Sequence, residues 1–241
     1  MVNKEAQEFY DGLFEDDDHY GLKKYWNGWS GNFHRQRLKI FREIMKKVGV
    51  NKTTKIIEVG CGTSVLGQLF SKEDMPLVSA TDLSINMVKR GKKYYPHINF
   101  IVDDAQKPKI KGKFDVVFSS EVIEHLPSPA EAIANWTKLL KKNGFLVLST
   151  PNGTVAKESK EHISLLKIND MKILLGQNNL KLLAIYGVDL PIPGRRFAGK
   201  IMCKVPVLSS LSNLVFSIIM KIPKKIPGMA YDVFYVAKKI D

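Results

Sequence analysis

Ile57-Glu58-Val59-Gly60-Cys61-Gly62-Thr63-Ser64-Val65 carries an apolar strand into an acidic residue and a Gly-x-Gly turn. The glycines at 60 and 62 have no Cβ, so the turn is free to take φ > 0 and a ligand can approach its backbone. A helix expected over residues 64–71 starts with N–H groups that have no partner inside the helix and that point back toward the loop. A nucleotide-like cofactor suits this arrangement. Dinucleotide-binding dehydrogenases share the strand, turn and helix, but their third glycine falls here on Val65, with Gly67 two positions late. A Walker-type phosphate loop is excluded, because no Gly-Lys-Ser/Thr follows.

The sequence downstream narrows the class. Leu77-Val78-Ser79-Ala80-Thr81-Asp82 reads as a second buried strand ending in an acid, and Asp82 lies 22 residues after Gly60, about the spacing at which a carboxylate meets ribose hydroxyls. A third strand, 98–102, runs into Asp103-Asp104-Ala105. A carboxylate there can accept from an adenine amino group while the next backbone N–H donates to the ring. Residues 114–119 and 144–150 read as a fourth and a fifth strand, each after a helical pattern.

Glu58-Val-Gly-Cys-Gly62, Asp82, Asp104-Ala105, Glu121-Val-Ile-Glu-His-Leu126 and Leu139-Leu-Lys-Lys-Asn-Gly-Phe-Leu146 resemble the successive motifs of class I S-adenosylmethionine-dependent methyltransferases, over roughly residues 50–152. Within that family the chain looks nearest to the ubiquinone-biosynthesis O-methyltransferase type, through Glu121-x-x-Glu124-His125 and Ser149-Thr150-Pro151-Asn152. The resemblance implies an α/β fold, a Rossmann-like doubly wound seven-stranded sheet that is mostly parallel with an antiparallel last strand. It also implies S-adenosylmethionine as cofactor, with Glu58, Gly60, Cys61, Gly62, Asp82, Leu83, Asp104, Ala105 and Ser120 around it. The acceptor does not follow, because such cores serve many substrates.

Bulk properties fit one such enzyme. A chain of 241 residues, 44% hydrophobic, can bury a full core, and alternating strands and helices imply an open parallel sheet. Four regions are expected: a helical cap over 1–50, the cofactor-binding core over 51–187, an insertion over 188–230, and a final core strand over 231–241. In the cap, residues 33–48 place Phe33, Leu38, Phe41, Ile44 and Met45 on one helical face. Two cysteines, Cys61 and Cys203, make no disulfide framework, so a reducing cytoplasmic setting is expected. The acidic N-terminus does not read as a signal peptide.

Charge is uneven. The net charge is +13, yet the first twenty residues carry Glu5, Glu8, Asp11, Glu15 and Asp16 to Asp18 against Lys4. The insertion instead holds Arg195, Arg196, Lys200, Lys204, Lys221, Lys224 and Lys225 around an uncharged run, 205–220. Sixteen residues are too few to span a bilayer core, which takes about 20. Leu208, Leu211, Leu214, Val215, Ile218 and Ile219 recur at helical spacing, opposite Ser209, Ser210, Asn213 and Ser217. Two readings stay open: a lid helix packed on the enzyme, or a helix lying in the interface of an anionic membrane with lysines at its flanks.

Glu121, Glu124 and His125 follow the fourth strand, at the edge where open α/β sheets bind ligands. If a helix begins there, the three share one face. Two carboxylates and an imidazole can hold a hard divalent ion such as Mg²⁺, which would lower the pKa of an acceptor hydroxyl. The resemblance implies this role for all three. His125 is equally suited to act as general base without a metal, since an imidazole titrates near pH 6.5. A purely structural histidine before Pro127 is the third reading.

Smaller signals also admit more than one reading. Tyr20, Tyr25, Trp26, Trp29 and Phe33 form an aromatic cluster that suits core closure or stacking on a planar acceptor. Arg35, after His34, is a candidate for the methionyl carboxylate of the cofactor or a solvated helix face. His162 lies in a loop that can border the acceptor. The function expected is methyl transfer to a hydroxyl of an apolar or membrane-associated small molecule. The rivals are an RNA or tRNA methyltransferase, a protein or peptide methyltransferase, and a non-catalytic S-adenosylmethionine-binding domain. Nucleic acid is disfavoured as a partner: the basic residues cluster beside an apolar run, and no Asn/Asp-Pro-Pro-Tyr/Phe motif follows the fourth strand.

Overall fold

The computed structural model describes residues 4–13, 28–157, 159, 161–189 and 226–240. Two helices come first, α1 (Lys4–Leu13) and α2 (Gly28–Lys47). Then follow β1 (Lys55–Val59), α3 (Val65–Leu69), β2 (Leu77–Asp82), α4 (Ile85–Tyr94), β3 (Asn99–Val102) and β4 (Phe114–Ser120). The chain continues with α5 (Pro129–Leu139), β5 (Leu140–Pro151), α6 (Ile168–Gln177), β6 (Leu180–Val188) and β7 (Asp232–Lys239).

The strands form one sheet in the order β3-β2-β1-β4-β5-β7-β6. β1 pairs in parallel with β2 and β4, β2 with β3, and β4 with β5, while β7 runs antiparallel between β5 and β6. From β1 the chain winds outward one way, and from β4 the other. The strand order therefore reverses between β1 and β4, and their carboxyl ends border the crevice where doubly wound sheets take ligands. The expected seven-stranded sheet with an antiparallel last strand is what forms.

Both faces of the sheet are covered, which is why β1 reads as a continuous apolar run: Ile56, Ile57 and Val59 are all buried. On one face α2 packs Leu38, Phe41, Ile44 and Met45 inward and leaves Arg35, Lys39, Arg42 and Lys46 outside, the 3.6-residue period of an amphipathic helix. Phe41 meets Phe118 and Phe234 edge-on at centroid distances of 4.7 and 4.8 Å, so α2 is fixed over β4 and β7. On the other face Trp136 of α5 and Met171 and Leu175 of α6 cover Ile57, Val117 and Tyr235.

Two elements differ from expectation. The helix after the glycine turn is only Val65–Leu69, because Phe70 is already extended. The fifth strand starts at Leu140, four residues early, through a register shift against Phe114 and Val116. The insertion's apolar run 205–220, its basic residues and Cys203 lie outside the described residues, as do Tyr20, Tyr25 and Trp26. Its two roots are fixed, however: Val188 pairs with Asp232, which also pairs with Pro151, so the insertion leaves and returns at the carboxyl edge of the sheet. Among the described residues no helix is long and apolar enough to cross a membrane.

Candidate active site

The glycine turn is built for close approach from one side. Gly60 and Gly62 have φ of +64° and +52°. A Cβ on Gly60 would lie 2.4 Å from Val122 Cγ2, whereas one on Gly62 would meet nothing within 4 Å. Gly60 thus serves packing against the β4 loop, and Gly62 leaves the open side of the turn. Glu58 does not face that opening. Its buried carboxylate accepts from Ser64 Oγ at 2.6 Å and from Val65 N at 2.7 Å, so it holds the loop and satisfies the first N–H groups of α3. Burial pushes this carboxyl up to about 7. Cys61 is buried as well; its N–H donates to Thr81 O at 2.8 Å, and burial keeps the thiol well above its usual range, hence unreactive.

Asp82 sits across the turn. Its Oδ2 accepts from Gly62 N at 2.7 Å and its Oδ1 from Ser84 N at 2.9 Å, which leaves further lone pairs for hydroxyls of a ribose. Burial holds the carboxyl above its ordinary range. Of the two acids after β3, Asp103 is buried and accepts from Lys109 N and Ile110 N, so it shapes the loop. Asp104 is more open, with Oδ1 accepting from Gln106 N at 2.8 Å. The Ala105 carbonyl accepts from Trp136 Nε1 and that of Leu83 from Gln7 Nε2. An uncrowded glycine, a carboxylate with spare acceptor capacity at the end of β2 and a second acid at the end of β3 fit an adenosine-bearing cofactor such as S-adenosylmethionine.

The acid and histidine motif does not form a shared helical face. Glu121 adopts φ +56°, in the left-handed region, and only Ile123–His125 make a single tight 3₁₀ turn before Pro127. The residues are therefore sent in different directions. Glu121 Oε1 accepts from Ser149 Oγ at 2.8 Å and pairs with Arg37 Nη2 at 3.2 Å. Glu124 is fully buried; its Oε2 accepts from Thr150 Oγ1 at 3.0 Å, and burial together with Glu121 drives its carboxyl well above the usual range. His125 Nδ1 lies 2.7 Å from the Glu161 carbonyl, so that nitrogen carries the proton and donates it. Nε2 is left with its lone pair, 3.8 Å from Glu124 Oε1. Burial lowers the His125 pKa, which favours the neutral ring.

Arg37, not Arg35, reaches the site. Arg35 lies on the outer side of α2, while Arg37 Nη2 donates to Ser120 Oγ at 2.7 Å and Nε lies 3.7 Å from Asp232. Ser120 is thereby tied to Arg37 and to Ser149. The signal was present in sequence: Phe33, Arg37, Phe41 and Ile44 fall on one stripe of the helix, and a cation on an apolar stripe needs buried partners. Phe33 packs against the core and its ring lies 5.6 Å beneath the Arg37 guanidinium.

His162 joins the site. Its ring centroid is 5.0 Å from that of His125, and its loop is pinned by Ser164 N donating to Glu124 O and Ser164 Oγ to Leu126 O. Glu124, His125 and His162 each offer a ligand atom, all within 4.8 Å of one another. Glu121 stands outside that group among the described residues, engaged by Arg37 and Ser149. Two imidazoles and one carboxylate form a softer donor set than the oxygen-rich one that Mg²⁺ prefers.

Residues 32–186 match the methyltransferase-domain family. The mitochondrial ubiquinone biosynthesis O-methyltransferase of Schizosaccharomyces pombe is 27% identical over 57% of this chain and 55% of its own length. The ubiquinone biosynthesis O-methyltransferase of Pelagibacter ubique is 30% identical over 52% of this chain and 56% of its own. The chain thus spans about half the length of these curated relatives. Magnesium protoporphyrin IX methyltransferase from Synechocystis, solved with bound S-adenosylhomocysteine, superposes with a TM-score of 0.62 at 14% identity, over 98% of this chain and 99% of that one.

Proposed function

The chain belongs to the methyltransferase-domain family, in the class I S-adenosylmethionine-dependent branch, and from that premise we propose that it methylates a hydroxyl oxygen of an apolar small molecule. The observation that carries this reading is the His125 arrangement. With Nδ1–H donated to the Glu161 carbonyl, Nε2 is the basic nitrogen, and burial favours the neutral ring able to take a proton.

When bound, S-adenosylmethionine supplies an electrophilic methyl on a sulfonium, and transfer breaks the S–CH₃ bond as the O–CH₃ bond forms, the electron pair remaining on sulfur. The chain positions the two partners: Asp82 orients the ribose, the glycine turn admits the cofactor closely, and His125 accepts the hydroxyl proton. Ile163, beside His162, and Met229, on the turn whose flanking carbonyls receive Asn152 Nδ2, both expose apolar side chains near this edge, as an apolar acceptor requires. The O-methyltransferase names of the relatives support an oxygen acceptor. Contact of residues 195–225 with an anionic membrane belongs to the same reading; co-sedimentation with anionic but not neutral vesicles at low salt is the outcome it requires.

A second reading keeps the acceptor and changes how it is deprotonated. A divalent ion held by Glu124, His125 and His162 would lower the hydroxyl pKa, and the convergence of their ligand atoms favours it. Incubation with methyl-labelled S-adenosylmethionine and separate pools of phenols, amines, carboxylates, RNA and peptides tests the class. Label in the phenol pool supports the proposal. Label confined to any other pool overturns it.

A further inference from the structure

Gln7, Tyr10 and Asp11 stand at i, i+3 and i+4 of α1 and so share one helical face. Two of them fasten the helix to the segment that follows Asp82. Gln7 Nε2 donates to Leu83 O at 3.0 Å, Asp11 Oδ1 accepts from the Ser84 hydroxyl and from Asn86 N at 3.2 Å, and Asn86 Nδ2 donates to Asp11 O at 3.5 Å. Ser84 also caps α4, so α1 is hung on the same turn that aims Asp82 at the cofactor.

Tyr10, on the face that carries this anchorage, projects further into the site. Its ring meets that of His125 edge-on, with centroids 6.3 Å apart and planes at 85°. Burial pushes its phenol up to about 12, and Asp82, Glu124 and Glu161 act in the same direction. Tyr10 therefore stands between the turn that follows Asp82, where α1 is anchored, and the ring of His125. The methyl donor is a cation at its sulfonium, and the spent product is neutral there. The lone pairs of a phenol oxygen stabilise the first more than the second.

We propose that Tyr10, delivered by α1, is the residue that meets the sulfonium of the bound methyl donor and lets the site distinguish the charged donor from the neutral product. The proposal rests on the methyl-donor site described above. It gives α1 a task beyond covering the pocket, because the anchor at Asp11 and the contact at Tyr10 are separable by mutation.

Calorimetric titration with two unreactive ligands tests it: sinefungin, whose amine carries a positive charge at the sulfonium position, and S-adenosylhomocysteine, which is neutral there. Tyr10→Phe, which keeps the ring, is expected to weaken sinefungin at least fivefold and S-adenosylhomocysteine less than twofold. Asp11→Ala, which loosens the anchor, is expected to weaken both ligands alike. If Tyr10→Phe weakens both ligands equally, or neither, Tyr10 has no part in charge discrimination. If the unaltered protein binds neither ligand, the methyl-donor reading itself has failed, a result that stands apart from the behaviour of the variants.

Discussion

Arg37 Nη2 lies 3.2 Å from Glu121 Oε1, and this pair joins the helical cap to the one residue of the acidic motif whose backbone is left-handed. Without a cation beside it, Glu121 would leave a half-buried carboxylate on a strained backbone. The same guanidinium reaches Ser120 and Ser149 at the ends of β4 and β5 and approaches Asp232 at the start of β7. One side chain on α2 thus ties together three strand ends at the carboxyl edge.

Arg37→Ala is therefore expected to cost about 2 kcal/mol of stability, from a charge-assisted network losing its donor in a partly buried site. Arg37→Lys should recover less than half of that, since a point charge cannot reach Ser120, Glu121 and Asp232 together. Urea denaturation of the three proteins measures it; a loss below about 0.5 kcal/mol for Arg37→Ala, the level of an exposed ion pair, contradicts this role.

Glu58 makes a prediction about pH. Its carboxyl has a folded pKa near 7 against an ordinary value of 4.5, raised by burial. The stability it contributes is present in full below pH 4.5, and is lost as pH rises through about 7. That difference corresponds to about 3 kcal/mol. Glu58→Gln keeps an acceptor for Val65 N and removes the titration. Between pH 4.5 and 7.5 the unaltered protein should lose about 3 kcal/mol more stability than the variant; parallel stability curves would place the titration elsewhere.

The two glycines of the turn should respond differently. Gly60→Ala drives a Cβ into Val122 as well as straining φ, so it is expected to destabilise the fold by more than about 2 kcal/mol. Gly62→Ala meets open space and should cost only the left-handed penalty, about 1 kcal/mol, while weakening S-adenosylhomocysteine at least tenfold. Thermal melts and calorimetry on both variants check this. Equal loss of stability, or undiminished binding by Gly62→Ala, would mean that the ligand does not approach the open side.

The fold was largely legible because its cause is periodic. Short apolar runs leading to Glu58, Asp82 and Asp103 mark the strands, and the 3.6-residue stripe of Leu38, Phe41, Ile44 and Met45 marks α2. At the turn, residue type alone foretold the positive φ of Gly60 and Gly62. The site was illegible where backbone direction decides. Glu121, Glu124 and His125 look like one helical face, yet a left-handed Glu121 turns its side chain to Arg37 while Glu124 goes into the core. His162 and Tyr10 come from a loop and a helix distant in sequence, and hydrogen bonds such as those of Ser164, Gln7 and Asp11 bring them in.

Chelation separates the two modes of deprotonation. With a metal at Glu124, His125 and His162, EDTA should abolish turnover, a divalent ion softer than Mg²⁺ should restore it best, and His162→Ala should lose the response while Glu121→Gln keeps it. With His125 as a free base, EDTA changes nothing and His125→Ala alone removes activity. Restoration that depends on Glu121 would return that residue to the ligand set.

On the proposed function, the crevice between β1 and β4 holds an adenosyl methyl donor through Asp82. Calorimetric titration of the purified chain with S-adenosylhomocysteine and with NAD is the most direct measurement of this. Saturable binding of S-adenosylhomocysteine, none of NAD, and a loss of at least tenfold on Asp82→Ala in a folded protein are predicted, since two ribose hydroxyls each lose a charged acceptor at about 1.5–3 kcal/mol. Saturable binding of NAD, or an unchanged dissociation constant for S-adenosylhomocysteine in the folded Asp82→Ala variant, would contradict it.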